Sequence, residues 1–228
     1  MLAGAEALVR WTTAEGKVIF PDQFIPLFER NGFCVKLDLY MVEQACRQIR
    51  SWLDRGIEPI PISVNQSKLL FFEPDYVQTL TDLTQNYGIP PHFITLEILE
   101  GLALENVNAL NEKIVQLQAA GFRISLDDFG SGFSSLNTLG SLKIDELKLD
   151  RAFLLDMASQ EQERVRLIMK EVVQIARALS ISTVAEGVET AEDEQLIQEI
   201  NCDFGQGYLY SRPISAADFD QAFMNAPS

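Results

Sequence analysis

Histidine and paired thiols are almost missing from this chain: its 228 residues contain one histidine, His92, and three cysteines, Cys34, Cys46 and Cys202. A phosphoesterase that holds its metals with several histidines cannot be built from it, and no two cysteines have the CxxC spacing of a zinc site. An odd, unpatterned set of cysteines reads as reduced structural thiols in a cytoplasmic setting. His92 follows Pro90 and Pro91 in turn-like surroundings, where an idle loop residue is a plainer reading than a triad base. Positive charge is scarce as well, with 18 Lys plus Arg against 33 Asp plus Glu and a formal net charge of -15. That sign argues against duplex nucleic acid and anionic membrane as partners. A polyanionic substrate would have to be met locally, by metal ions or a few placed cations. No apolar run reaches the ~18 residues of a membrane span, and the N-terminus lacks the charged-then-apolar order of a signal peptide. Linkers, repeats and low-complexity tracts are missing too, so no internal boundary is drawn within residues 1–228.

What the chain does have is alternation. Apolar residues recur at helical spacing at Val42, Ala45, Cys46, Ile49, Trp52 and Leu53, at Tyr76, Leu80, Leu83 and Tyr87, and at Val107, Leu110, Ile114 and Leu117. The same spacing returns at Val165, Ile168, Val172, Ile175 and Leu179, and around Leu196, Ile197 and Ile200. Between these stripes lie short β-type runs at Ile60 to Val64, Ile94 to Ile98, Arg123 to Leu126, Glu146 to Leu149, Thr183 to Ala185 and Phe204 to Leu209. Repeated β/α units imply parallel strands with right-handed crossovers, and in a chain of this length they favour a TIM-like barrel over an open sheet. The opening differs: Leu2 to Trp11 reads as one strand, followed by a Glu15-Gly16 turn and a Lys17 to Ile19 run, which predicts a hairpin and one antiparallel strand near the N-terminus. A chain that begins almost directly in strand suggests a module cut from a longer protein.

Polar residues gather where strands end. Glu6 and Arg10 lie in the first run, Asn65 follows Val64, Glu97 and Glu100 close the third, and Asp127-Asp128 follow Leu126. Lys148 ends its strand, Glu186 and Glu189 follow Ala185, and Gln206 enters the last run. In a barrel, strand C-termini converge on one face, so these side chains would meet there. Carboxylates brought together repel unless cations sit among them. Ligation by carboxylates and an amide, without histidine or thiolate, selects hard ions such as Mg²⁺ or Mn²⁺. Taken singly, each acid reads equally as a helix cap or a solvated loop residue. The small-residue loop from Gly130 to Ser135 is equally a plain turn or a backbone N–H donor site.

Together these residues carry a family pattern. Glu6-Ala7-Leu8, Ser63-Val64-Asn65, Glu97-Ile98-Leu99-Glu100, Asp127-Asp128-Phe129-Gly130, Leu147-Lys148-Leu149-Asp150, Ala185-Glu186-Gly187-Val188-Glu189-Thr190 and Gln206-Gly207-Tyr208 follow in order across the chain. In this the sequence resembles the EAL-domain phosphodiesterases that hydrolyse cyclic di-GMP. The resemblance implies a modified TIM barrel with one antiparallel strand and two divalent cations. It assigns Glu6, Asn65, Glu97 and Asp127 to the first metal, and Asp127, Asp128 and Glu186 to the second. Lys148 would position the attacking water and Glu186 accept its proton. Glu100 would anchor the loop from Asp127 to Ser135, Arg10 contact substrate phosphate, and Glu189 and Gln206 support the ligand. A homodimer, and fusion to sensory or GGDEF domains, are implied as well.

Leu99 and Gly101 stand where many active members have Thr and Ser, and Ser131 and Phe133 where Thr and Tyr are commoner. Loss of such hydroxyls near a metal site tunes rate rather than replacing ligands. The competing reading is a catalytically silent cyclic di-GMP sensor or interaction module, but every primary ligand position is intact, which favours the enzyme. An all-oxygen site cannot exclude Ca²⁺ on donor type, yet Ca²⁺ takes bonds of ~2.3 to 2.6 Å against ~2.0 to 2.1 Å for Mg²⁺ and misplaces the nucleophile. Ca²⁺ is therefore predicted to bind, to support little hydrolysis, and to inhibit the Mg²⁺ enzyme. Equal turnover in Ca²⁺ and Mg²⁺ in a steady-state assay would sink the two-metal reading.

Overall fold

The computed structural model describes residues 2–102, 106–131, 136–155 and 162–224. In chain order its first elements are β1 (Ala5–Glu6), β2 (Trp11–Thr12), β3 (Val18–Ile19), α1 (Pro21–Asn31), α2 (Cys34–Asp54), β4 (Ile62–Asn65), α3 (Lys68–Phe71), α4 (Tyr76–Tyr87), β5 (Ile94–Leu99) and α5 (Val107–Ala119). There follow β6 (Arg123–Phe129), α6 (Leu136–Ser141), β7 (Glu146–Leu149), α7 (Ala152–Leu155), α8 (Gln162–Ala178), β8 (Ser182–Glu186), α9 (Ala191–Glu199), β9 (Phe204–Gln206) and α10 (Ala216–Phe219). Strand and helix alternate as the periodicity predicts, giving a TIM-like α/β fold with an added antiparallel hairpin. The chain forms two compact units, one of Met1–Ile98, Gln116–Arg123 and Phe219–Ser228, the other of Leu99–Val115 and Ile124–Asp218.

In the first unit β1, β4 and β5 pair in parallel, with Glu6 opposite Ser63 and Asn65 opposite Glu97. The run from Leu2 to Trp11, expected as one strand, is two. Only Ala5–Glu6 joins the parallel ladder, while Trp11–Thr12 pairs antiparallel with Val18–Ile19. Aromatic packing accounts for the split: the Trp11 ring meets Phe24 edge-on at 5.8 Å and Phe28 at 6.0 Å, both on α1, and this draws the chain away from β4. Helix α1 starts on Pro21, whose fixed φ suits a first helical position, and ends at Gly32, whose φ of 75° lies in the left-handed region.

Helix α2 buries Cys34, Asp38, Val42, Ala45, Cys46, Ile49 and Trp52, spaced three and four apart along one stripe. Each large aliphatic group removed from water there contributes roughly 1.5 to 3 kcal/mol. All three cysteines are free thiols, and burial pushes that of Cys46 up to about 12. Among the described residues no helix is long and apolar enough to cross a membrane.

The second unit runs β6, β7, β8 and β9 in parallel, and the starts of these strands are tied by acids. Asp145 accepts from the Ile124 N–H at 2.8 Å, and its carbonyl takes the Ser182 N–H at 3.0 Å. Asp203 Oδ2 accepts from the Thr183 N–H at 2.9 Å and hydroxyl at 2.8 Å. Helix α9 begins in a reciprocal capping box between Thr190 and Asp193. On α8 the buried face is Met169, Val172, Val173 and Ala176, whereas Ile168 and Leu179 of the expected stripe are exposed. The apolar face of that helix is wider than the strip covered by the strands beside it.

A polar clasp closes the first unit. Asp220 accepts from Gln48 Nε2 at 2.7 Å and from the indole N–H of Trp52 at 2.6 Å through Oδ1, and pairs with Arg55 at 2.6 Å through Oδ2. Trp52 is buried, so loss of its acceptor strands an N–H away from water. Asp220→Ala is expected to cost about 2 kcal/mol in urea unfolding. An unchanged unfolding midpoint would show that the clasp adds nothing.

Candidate functional site

Within the second unit, three carboxylates and one ammonium meet at the C-terminal ends of neighbouring strands. The pairing of β6 with β7 sets Leu126 opposite Leu147 and Phe129 opposite Leu149, so Asp127 and Asp128 together face the single residue Lys148. This is a β-bulge. Successive residues of a regular strand point to opposite faces, which would separate two adjacent acids. Here Asp128 has a φ of 58°, a left-handed conformation that aspartate tolerates better than most residues. One carboxylate oxygen from each of Asp127, Asp128 and Glu186 consequently lies within 4.8 Å of the others. The Asp128 N–H donates to Asp127 Oδ1 at 2.9 Å and fixes that carboxylate.

Lys148 is only 2% exposed. Its Nζ lies 2.7 Å from Glu186 Oε1 and 3.3 Å from Asp127 Oδ1, so the ammonium is held between two of the three acids. Leu147 and Leu149 flank it and are fully buried, which sends Lys148 to the opposite face of β7. One ammonium among three carboxylates leaves negative charge in excess, and the donors are all oxygen. Such a set suits a hard divalent cation.

Around this cluster, Gly130 has a φ of 102°, and a Cβ there would lie 2.1 Å from Phe153 Cε2, so only glycine fits two residues after Asp128. Ser131 N–H closes a turn on the Asp128 carbonyl at 3.1 Å. Residues 132–135, and with them Phe133, lie outside the described residues. Glu100 is buried in the 3-10 turn Glu100–Leu102, while Leu99 and Gly101 beside it are exposed. Gln206 ends β9 opposite Glu186, and Glu189 is exposed just ahead of α9. The turns carrying these two residues touch backbone to backbone: Val188 N–H donates to the Gln206 carbonyl and Leu209 N–H to the Val188 carbonyl, each at 3.0 Å. A Cβ on Gly207 would stand 2.1 Å from the Val188 carbonyl oxygen.

The first unit carries its own polar set at strand C-termini. Asn65 Nδ2 donates to Glu6 Oε1 at 3.0 Å, which turns the amide oxygen the other way, and Glu97 is buried at the position on β5 opposite Asn65. Arg10 is exposed, with Nη1 on its neighbour's carbonyl at 2.7 Å and its guanidinium 5.5 Å from the centre of the Phe20 ring. His92 is exposed.

Sequence reasoning missed a polar group behind Asn65, made of the buried Asp38, Gln66 and Tyr76 with the half-buried Ser67. One signal was available: Asp38 lies four residues before Val42 on the stripe of α2 that faces inward. Burial raises its carboxyl to about 6, against the opposing effect of a hydrogen bond from Ser67.

The bulge yields a test. Asp128→Asn keeps a side chain that tolerates the left-handed region, whereas Asp128→Val does not, at a cost of roughly 1 to 3 kcal/mol. Asp128→Asn is expected to melt like the parent yet bind Mn²⁺ more weakly by calorimetry. Equal melting of the Asn and Val variants would contradict the strained geometry.

The chain matches the EAL domain family over residues 1–213. It is 34% identical over 227 residues to the signaling protein YkoW of Bacillus subtilis, covering 100% of this chain and 28% of that protein. It is 36% identical over 215 residues to the bifunctional diguanylate cyclase/cyclic di-GMP phosphodiesterase MucR of Pseudomonas aeruginosa, covering 94% of this chain and 31% of that protein. The chain thus spans less than a third of the length of either relative. Among solved structures, the PaMucR phosphodiesterase in its c-di-GMP complex superimposes with a TM-score of 0.87 at 36% identity, over 94% of this chain and 86% of that one.

Proposed function

Because the chain belongs to the EAL-domain family, we propose that residues 1–228 act as a single phosphodiesterase domain that hydrolyses cyclic di-GMP to linear 5′-pGpG with two divalent cations, Mg²⁺ or Mn²⁺. The observation that carries this reading is Lys148, buried at a strand end between Asp127 and Glu186 with Asp128 alongside. A buried ammonium in a carboxylate cluster is costly to build and poor evidence of a purely stabilising role.

Asp127, Asp128 and Glu186 are assigned to the second cation, and Glu6, Asn65, Glu97 and Asp127 to the first. Bound cations would supply Lewis acidity, generating a nucleophile at neutral pH and offsetting charge on the phosphodiester. The chain's own groups do the rest. The Lys148 ammonium, kept in place by its two carboxylates, orients the attacking water. Glu186, whose Oε1 already accepts from Lys148, receives the proton that water loses. Attack in line on phosphorus then expels the ribose 3′ oxygen. Arg10, exposed and cationic, contacts a substrate phosphate, and Glu189 and Gln206 hold the ligand. Glu100 anchors the segment from Asp127 to Ser135.

The phosphodiesterase and cyclase activities named for MucR, and the greater length of the relatives, support a setting in which this domain is joined to sensory or GGDEF domains. A homodimer and a cytoplasmic location belong to the same proposal; the three free thiols support the latter.

Two substitutions test the assignment. Asp127→Asn should remain folded and lose hydrolysis, since one carboxylate serves both cations. Lys148→Ala should retain Mn²⁺ binding while kcat falls roughly 100-fold or more, because a group that orients the nucleophile acts on the chemical step. Products are read by mass spectrometry after incubation with cyclic di-GMP and Mg²⁺. Near-normal turnover in folded Asp127→Asn would refute the metal assignment, and tight binding of cyclic di-GMP without any product would favour the silent sensor.

A further inference from the structure

Asn65 is exposed at the end of β4, so packing does not hold it, yet the chain on either side is clamped. The clamp is Gln66, only 4% exposed and bonded through both ends of its amide. Its Nε2 donates to the Val64 carbonyl at 3.2 Å and to the Asn65 carbonyl at 2.8 Å. Its Oε1 accepts from the Tyr76 hydroxyl of α4 at 2.8 Å, and Tyr76 is itself buried. The Gln66 backbone N–H donates to the Glu97 carbonyl at 2.9 Å, and the next N–H, that of Ser67, donates to Asp38 of α2 at 2.8 Å.

A leucine at position 66 would fill this space without the cost of burying an amide. What the amide adds is control of the two peptide groups that flank the Asn65 side chain. Those peptides set the direction in which Asn65 leaves the strand. Its Nδ2 reaches Glu6 at 3.0 Å, and a rotation of the Asn65 carbonyl would break that bond and swing the amide oxygen with it. Buried hydrogen-bond partners of this kind typically alter metal affinity or activity by about 10- to 100-fold.

We propose that Gln66, supported by the Tyr76 hydroxyl, is a positioning residue that orients Asn65 and thereby sets the affinity of the first cation site. This rests on the assignment of Asn65 as a ligand. It places specificity of geometry in a side chain that touches neither cation nor substrate.

The test uses Mn²⁺ alone, titrated calorimetrically into the full chain, with thermal melting measured in parallel. Asn65→Ala should weaken one class of Mn²⁺ sites. Gln66→Leu should weaken the same class about 10-fold, Tyr76→Phe should act in the same direction by less, and Gln66→Leu should add nothing in the Asn65→Ala background. Ile49→Val, a core change away from the strand end, serves as a stability control and should leave Mn²⁺ affinity unaltered. If Asn65→Ala weakens Mn²⁺ while Gln66→Leu and Tyr76→Phe lower only the melting temperature, the positioning role is wrong and the ligand assignment stands. An additive loss in the double variant would overturn it too. If Asn65→Ala leaves Mn²⁺ binding unchanged, the ligand assignment itself fails and the proposal goes with it. Should Gln66→Leu not fold, Tyr76→Phe, which removes one hydroxyl and keeps the ring, decides the matter alone.

Discussion

Burying a lysine ammonium is among the more costly acts a fold can perform, and the second unit is arranged around having done it. Without Asp127 and Glu186, Lys148 would keep its buried charge and lose two carboxylates that offset it. Without Lys148, those carboxylates and Asp128 would face one another without the ammonium that offsets their charge. Each partner makes the other tolerable, so the strand ends that carry them must hold their register. The acids that tie the starts of β6, β7, β8 and β9 answer to this need at the far ends of the same strands.

Register alone would not suffice, because regular strands separate neighbouring side chains. The bulge at Asp127 and Asp128 puts two residues against one and lets two consecutive acids share a site with Glu186. Its cost is one non-glycine residue in the left-handed region and a close approach to the Phe153 ring that is possible only because Gly130 has no side chain. The local irregularity is thus what brings the three carboxylates together.

That irregularity bounds what could be read in advance. Alternating β-type runs and helical stripes announce the α/β order, since burial acts on one face of each helix and on nearly every residue of the inner strands. Asp127, Asp128, Lys148 and Glu186 were legible as strand-end polar residues because polarity where apolar residues are expected is itself a signal. The bulge was not legible, for it depends on one φ angle. Nor was the division of Leu2 to Trp11, which turns on Trp11 finding Phe24 and Phe28 across the fold. Asp38, Gln66 and Tyr76 escaped for a related reason. Each is unremarkable in its own window, and only the approach of α2 and α4 to the end of β4 makes a network of them.

The close approach of Gly207 to Val188 bears on how this domain can move and vary. Two reciprocal backbone bonds and the lack of a Cβ lock the turn after β9 onto the turn after β8. Glu189 and Gln206, 17 positions apart in the chain, are for that reason mechanically one piece. A displacement of either turn carries the other with it, and any side chain at position 207 would have to pry the pair apart. Variation that reshapes the rim near Glu186 must therefore come from side chains mounted on this joint rather than from the joint itself, which makes it the fixed reference against which neighbouring loops can change.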